Sequence, residues 1–307
     1  MKNKNLYGLI ILLITSIIWG AAFVFQRTGM DHIEPITFNA VRMSAAAIFL
    51  IVLSFISDKF KKTEYKPSEI ERKETIKTTI KGGLFCGFFL AASSIVQQAG
   101  MVHTTAGKAG FITAMYMLFV PIINLIIFKK KGNAKLWISV LLGILGMYLL
   151  CIKEDLSFTQ GDLLILGCAV LFSGHILCCD KYAPKCDAVK LSAIQFTTAT
   201  IISSILAFIL EEPSVEKVIS AAVPILYCGI VSGGIGYTLQ IIGQKHTDPT
   251  AASLIMSLES VFAALAGVVL LNERMTTQEL IGSVIMFAAI ILVQLPSKNK
   301  TNKQNSI

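Results

Sequence analysis

Apolar residues run along this chain in stretches of about twenty, separated by short polar breaks. Crossing about 30 Å of hydrocarbon takes roughly 20 helical residues. The pattern therefore predicts ten membrane-spanning helices, at 6–26, 36–56, 80–101, 106–128, 134–152, 160–179, 189–210, 218–243, 249–271 and 277–295. Each stretch is continuously apolar, whereas the strands of a membrane barrel alternate over about ten residues. Helices also satisfy their own backbone polar groups in lipid. The fold class expected is an all-α integral membrane protein.

The ten spans divide into two five-span units, residues 6–152 and 160–295. Because five is odd, the second unit enters the membrane from the opposite side, giving two inverted five-helix repeats. Many secondary transporters are built this way, with the substrate site where the repeats meet. Sliding residues 8–56 onto 161–209 without a gap pairs Gly8 with Gly161, Trp19 with Phe172, Ala46 with Ala199 and Phe55 with Phe208. The same shift places Arg42 opposite Gln195, a polar position inside the second span of each unit. Further on, with small gaps, Phe85-Cys86-Gly87 matches Tyr227-Cys228-Gly229, and Gly100 to Thr104 match Gly243 to Thr247, with His103 opposite His246.

Composition agrees with a membrane protein: 54% of the 307 residues are strongly apolar and 15% are charged. Of the 27 Lys and Arg residues, 21 fall on the side of the amino terminus. Arg27, Lys108, Lys153, Lys217 and Arg274 fall on the other side, and Arg42 lies within a span. Basic residues in short loops stay cytoplasmic, so both termini are expected in the cytoplasm of a multi-pass cell-membrane protein. The net charge of +8 is spread over loops that flank spans, which fits a lipid bilayer as partner and not a nucleic acid. The first apolar run, behind Lys2 and Lys4, is longer than the 7–15 residues of a signal peptide and is read as retained. The seven cysteines lack metal-ligand spacing, and Cys86, Cys168, Cys178, Cys179 and Cys228 fall in apolar segments. Packing is their expected role, with no metal, cofactor or disulfide framework implied. In the long connection Ser57–Thr79, the run Pro67-Ser68-Glu69-Ile70-Glu71 reads as a capping box opening a short amphipathic surface helix. There is no glycine-rich phosphate loop, so the chain is not expected to hydrolyse ATP itself.

Several stretches resemble the drug/metabolite transporter superfamily, EamA-like branch. In the first half they are Ile18-Trp19-Gly20-Ala21-Ala22-Phe23, Val41-Arg42-Met43, Lys108-Ala109-Gly110-Phe111-Ile112-Thr113 and Phe119-Val120-Pro121. In the second they are Leu258-Glu259-Ser260-Val261-Phe262-Ala263 and Leu271-Asn272-Glu273-Arg274, with Ser260 where that branch commonly has proline. The resemblance implies a ten-helix bundle around a central cavity, moving small metabolites or drugs by alternating access, with export of amino acids or related metabolites a frequent activity.

Polar residues at membrane depth are the candidate chemistry, because an ionisable group in hydrocarbon is costly unless it faces protein, water or a counter-charge. Arg42 is a candidate anchor for a carboxylate, which a guanidinium grips through two parallel hydrogen bonds; bonding to helix carbonyls is the structural alternative. Glu259, near the middle of the ninth span, is a candidate proton carrier or amine-binding group, or else a buried interhelical hydrogen bond. An Arg42–Glu259 ion pair is not expected, because the two are predicted at different depths. Gln97 and Gln98 at the outer end of the third span, and Tyr237 and Gln240 toward the inner end of the eighth, are expected to line two matching vestibules, unless they serve interhelical bonding. Gln195 joins them as the repeat partner of Arg42. His175 is a candidate proton relay, a satisfied structural histidine being the default. Trp19, Phe23 and Tyr116 supply aromatic cavity walls or ordinary packing. The substrate-binding set is thus Trp19, Arg42, Gln97, Tyr116, Gln195, Tyr237 and Gln240, and the coupling set Glu259 and His175.

Gly83 and Gly87, Gly143 and Gly146, and the run Gly229, Gly233, Gly234 and Gly236 permit close helix contact. Gly233-Gly234 is expected to loosen the eighth span, and Pro121 to kink the fourth. Glu34-Pro35 and Asp248-Pro249 read as helix starts. A secondary carrier of small solutes, with a coupled proton as candidate second partner, is the leading class. Against a channel, the sequence shows no filter-like loop of backbone carbonyls or ring of acids, and an enzyme would have to rest on Ser173-Gly174-His175, which alone is no triad.

Overall fold

A computed structural model describes residues 2–60, 68–103, 106–151, 159–271 and 274–295, and among these every regular element is helical. Pro67, Asn272, Glu273 and the basic tail beyond Leu295 lie outside the described residues. The first half contains α1 (Lys2–Gly29), α2 (Pro35–Phe60), α3 (Glu69–Met101), α4 (Ala106–Thr113), α5 (Tyr116–Ile126) and α6 (Ala134–Cys151). The second contains α7 (Gln160–Tyr182), α8 (Ala188–Leu210), α9 (Val215–Ser220), α10 (Ala222–Leu226), a π-helical stretch (Tyr227–Gly236), α11 (Tyr237–Gln244), α12 (Pro249–Met256), α13 (Glu259–Leu271) and α14 (Thr277–Gln294).

Where the apolar pattern predicts ten spans, eight segments among the described residues are long and apolar enough to cross a bilayer. The remaining two, Ala134–Leu149 and Thr277–Val293, are shorter apolar helices. At 1.5 Å per residue each rises about 25 Å, against a hydrocarbon core of about 30 Å. These two helices, α6 and α14, pack on each other.

The ends of the helices follow from local side chains and, once, from a distant one. Ser68 and Glu71 form the expected capping box, yet the helix they open does not stop at the surface: α3 continues through the third span as one 33-residue helix. Nothing between Glu69 and Met101 breaks it, the polar first turns and the apolar span sharing one set of backbone hydrogen bonds. Asp248 caps α12, with Pro249 in the first turn, and Thr159 and Thr276 open α7 and α14 with capping boxes of their own. Pro35 does begin α2, but the acid serving its free amides is Glu211, which follows α8. Its carboxylate accepts from Ile36 N at 3.0 Å, Thr37 N at 2.6 Å and Thr37 Oγ1 at 2.7 Å. Lys217 donates to Glu34 beside it, and at the other end of the pair Lys190 meets Asp58 at 2.8 Å. α2 and α8 therefore lie side by side, tied at both ends.

The two halves interleave. α1 packs on the π-helical stretch, α11, α12 and α13, while α7 packs on α3, α4 and α5. Close approaches obey the same exchange. A Cβ placed on Gly8 would lie 3.0 Å from the Gly243 carbonyl, and one on Gly161 2.7 Å from the Gly100 carbonyl. One on Gly87 would lie 2.6 Å from the Gln195 carbonyl, and one on Gly229 2.8 Å from that of Arg42. Each pair of contacts joins residues that the sequence repeat sets opposite one another.

Two breaks also fall at matching positions. The segment Ala109–Ile126 stops at Thr113 and restarts at Tyr116, and the segment Pro249–Leu270 stops at Met256 and restarts at Glu259. Tyr116 and Glu259 have the same separation along the chain as Gly100 and Gly243. Between Gly229 and Gly243 there is one residue more than between Gly87 and Gly100. The π-helical stretch begins two residues before Gly229 and absorbs that extra residue, because its i→i+5 bonds enclose one more residue per turn than α-helical bonds. The expected loosening at Gly233-Gly234 thus takes the form of π geometry. Pro121 lies inside α5, which continues through it.

Candidate functional site

A buried cavity opens where both breaks and the π-helical stretch converge. On α1 it is lined by Trp19, Ala22, Phe23 and Gln26, spaced i, i+3, i+4, i+7 on one helical face. Phe172, His175 and Ile176 of α7 line the facing wall; they are the residues that the repeat sets opposite Trp19, Ala22 and Phe23. Arg42, Gln97, Thr113 and Tyr116 complete the first half's share, and Ser232, Tyr237, Gln240 and Glu259 the second's.

Eight of the nine residues singled out from the sequence meet here: Trp19, Arg42, Gln97, Tyr116, His175, Tyr237, Gln240 and Glu259. Gln195 does not line the cavity. It stands behind His175, with Oε1 3.0 Å from His175 Nε2, and holds the ring in place. The two vestibules expected for Gln97 and Gln240 are one chamber, and Gln98 lies apart, its amide directed at the Met30 sulfur. Arg42 and Glu259 share the chamber in spite of their different predicted depths, yet they form no ion pair within 4.0 Å. Interhelical packing, which sequence spacing does not encode, brings them to one level.

Arg42 is held by its own helix. Its Nε and Nη2 donate to Asn39 Oδ1 at 3.1 and 2.8 Å, and Asn39 Nδ2 donates to Ser203 Oγ of α8 at 3.0 Å. Asn39, three residues before Arg42 on the same face, was absent from the sequence candidates. So was Gln26, although its place on the Trp19–Phe23 stripe marks it. Thr113 was missed for lack of periodic signal; it accepts from Gln97 Nε2 at 3.1 Å.

On the opposite wall the Glu259 carboxyl faces the Tyr116 phenol, each at the first position of the restarted half of its broken span. Trp19 and Tyr237 pack with ring centroids 4.6 Å apart and planes tilted by 48°, and His175 meets Tyr237 edge-on at 5.7 Å. Around this chamber Trp19 Nε1, Gln26 Oε1, Tyr116 Oη, both polar atoms of the Gln240 amide and Glu259 Oε1 are buried without hydrogen-bond partners. A buried polar group left unpaired costs about 1–3 kcal/mol, so the site carries donors and acceptors suited to a polar guest. Its volume is about 40 Å³, room for roughly three waters at 10–15 Å³ each. Ser173, by contrast, bonds the Ala169 carbonyl of its own helix at 2.8 Å and does not engage His175.

Residues 6–152 and 159–295 each match the sequence profile of the EamA-like transporter family. The chain belongs to the EamA-like transporter family. An uncharacterized transporter of Archaeoglobus fulgidus is similar to this EamA-like protein at 28% identity over 292 residues, covering 95% of this chain and 87% of that one. The uncharacterized transporter YoaV of Bacillus subtilis is 23% identical over 282 residues, covering 90% and 93%. A protein of known crystal structure shares the fold, with a TM-score of 0.75 at 15% identity over 96% of this chain and 98% of that one. This EamA-like chain is a multi-pass membrane protein of a transporter family, with a small molecule as its class of substrate.

Proposed function

We propose that the chain is a secondary carrier of small carboxylate-bearing or zwitterionic metabolites, amino acids and their relatives among them, working by alternating access in the cell membrane with both termini cytoplasmic. Its frame is ten spans in two inverted five-helix repeats. The exchanged contacts Gly8–Gly243 with Gly161–Gly100 support that frame, as do the matching breaks before Tyr116 and Glu259. Discontinuous helices in corresponding positions of two halves are where transporters of this architecture place substrate.

One observation carries the reading: a buried chamber between the halves holds a guanidinium, a carboxyl and several unpartnered polar atoms among aromatic walls. Arg42, oriented by Asn39, grips the substrate carboxylate. Trp19 and Tyr237 cover its apolar portion, and Gln97, Tyr116 and Gln240 supply hydrogen bonds. Glu259 carries a coupling proton, and His175, steadied by Gln195, relays it. The chamber, about 40 Å³, is smaller than such a solute, so loading requires the halves to part. A gradient drives net transport only if substrate binds the two states differently.

Inverted vesicles with and without the protein test this, by untargeted comparison of the metabolites they accumulate or release. Saturable movement of carboxylate-bearing solutes is the expected result. Ion conductance without saturation would replace the carrier with a channel, and product formation without net movement would replace it with an enzyme.

A further inference from the structure

The chamber lies between two faces of the bundle, and α1 runs from one to the other. Beside its first turns lies the end of α11: a Cβ on Gly8 would meet the Gly243 carbonyl at 3.0 Å and Thr247 Oγ1 closer still, and the Tyr7 ring meets His246 edge-on at 5.6 Å. Just past its far end, the Met30 sulfur accepts from Gln98 Nε2 of α3 at 3.2 Å. α11 thus leads from the chamber toward the face where α1 begins, and α3 toward the opposite one.

Matching residues of unlike chemistry close the two ends. On α11, Tyr237, Gln240 and Gln244 recur at i, i+3 and i+7 on one helical face. The first two line the chamber, and Gln244 stands about 6 Å beyond Gln240 at 1.5 Å per residue. It is 2% exposed, and its Nε2 donates to the Ile176 carbonyl of α7 at 3.0 Å. The repeat sets Met101 of α3 opposite Gln244, and Phe23 of α1 opposite Ile176. Met101 and Phe23 are buried in one apolar cluster with Ala109, Ile112 and Ile165. A hydrogen bond therefore closes one end where apolar side chains fill the other.

Buried polar atoms without partners continue past Gln240 on the α11 side only. Gln244 Oε1 and Thr247 Oγ1 are both unpaired, and an unpaired polar atom in such surroundings costs about 1–3 kcal/mol. Packing does not require that cost, since methionine serves at the matching position of α3. A polar solute would find in this row successive partners between the chamber and the face where α1 begins. The bond across the seam is also suited to breaking. Ile176 lies within α7, so its carbonyl keeps its place in the helical ladder when Gln244 lets go, and the released amide is free to donate to a passing carboxylate.

We propose that the seam between α7 and α11 is the gate on the side where α1 begins, with Gln244 as its latch and as the group that meets the solute between chamber and exit. The assignment rests on the carrier reading. The test uses the full-length protein in vesicles of either orientation, with a membrane-impermeant methanethiosulfonate reagent added outside and modification read at single positions by mass spectrometry. Gln244→Cys is expected to react from the face where α1 begins and not from the other. Ile241→Cys, three positions earlier and packed with Cys86 and Leu191, should stay unmodified from both. Ile176→Cys, in the chamber wall, reports opening. Adding Gln244→Met, which keeps the size and removes the donor, should quicken its modification about 2- to 10-fold, the worth of a neutral hydrogen bond, from the face where α1 begins alone. Reaction of Gln244→Cys from the opposite face, its failure to react from either, equal reaction at position 241, or an unchanged or two-sided rate at position 176 would each overturn the proposal. Uptake by the wild-type protein is followed separately. Saturable transport with an unreactive Gln244→Cys sinks the gate and spares the carrier, whereas reaction at position 244 as expected without saturable transport sinks the carrier and leaves an opening seam.

Discussion

Gly87→Ala tests whether the halves cross as closely as the backbone contacts require. The added Cβ would lie 2.5 Å from Thr198 Cβ and 2.6 Å from the Gln195 carbonyl oxygen, both on α8. Ordinary carbon contacts begin near 3.5 Å, so α3 and α8 must separate by about 1 Å or bend. A backbone carbonyl inside a helix cannot rotate away as a side chain can. Overpacking of this kind costs about 1–3 kcal/mol, or about 5- to 150-fold in an unfolding equilibrium. The displacement would also pull Gln195 from His175, which it meets at 3.0 Å. Gly229→Ala places its Cβ 2.8 Å from the Arg42 carbonyl, so loss of similar size is expected there. Reversible unfolding in mixed micelles measures both, alongside substrate uptake by the same samples. Stability within about 0.5 kcal/mol of wild type in Gly87→Ala, with unchanged uptake, would refute the close crossing.

Arg42→Ala is expected to raise KM for a carboxylate substrate about 10- to 150-fold, the worth of charged hydrogen bonds; an unaltered KM in vesicle uptake removes the anchor role. Glu259→Gln keeps size and hydrogen bonding but cannot titrate, so pH-driven uptake in proteoliposomes should vanish while substrate exchange persists. Undiminished pH-driven uptake would rule out Glu259 as the proton carrier. Glu211→Gln strips the charge from the cap of α2 and should cost about 2 kcal/mol, from the upper range for helix caps; unfolding free energy within error of wild type would show the cap to be idle. Lys217 holds the Glu34 carboxyl below its ordinary value, and Glu34 raises the Lys217 ammonium. Their stabilisation is therefore complete at neutral pH, fades in acid as Glu34 protonates and fades in base as Lys217 deprotonates. Lys217→Met should lower the melting temperature at neutral pH and match wild type in strong acid, a gap persisting in acid being the contrary result.

Much of the chamber was legible one residue at a time, for a physical reason. Hydrocarbon penalises polar and charged groups so heavily that Arg42, Glu259 and His175 stand out against their apolar neighbours. Residues whose role is to hold others carry no such mark. Asn39 and Gln195 act through Arg42 and His175, and a small polar side chain within a helix gives no sign of which partner it serves. Depth is hidden as well: Gln97 and Gln240 belong near opposite ends of their spans by residue count, and the breaks at Thr113 and Met256 with the π-helical stretch bring them to one chamber. The capping box at Ser68 was correct as chemistry but silent about length, since a cap specifies where a helix begins and nothing about where it ends.

The chain by itself determined the helices, the membrane setting and the twofold repetition, because these depend on local hydrophobic length and on residues recurring at fixed separation. Tertiary structure alone decided that the halves interleave, that Glu211 of one half caps a helix of the other, and that Tyr116 and Glu259 face each other across the centre. Those relations depend on how closely helices cross and on where their hydrogen-bond ladders break. Glycine contacts set the first, and in the π-helical stretch a single extra residue changes the second.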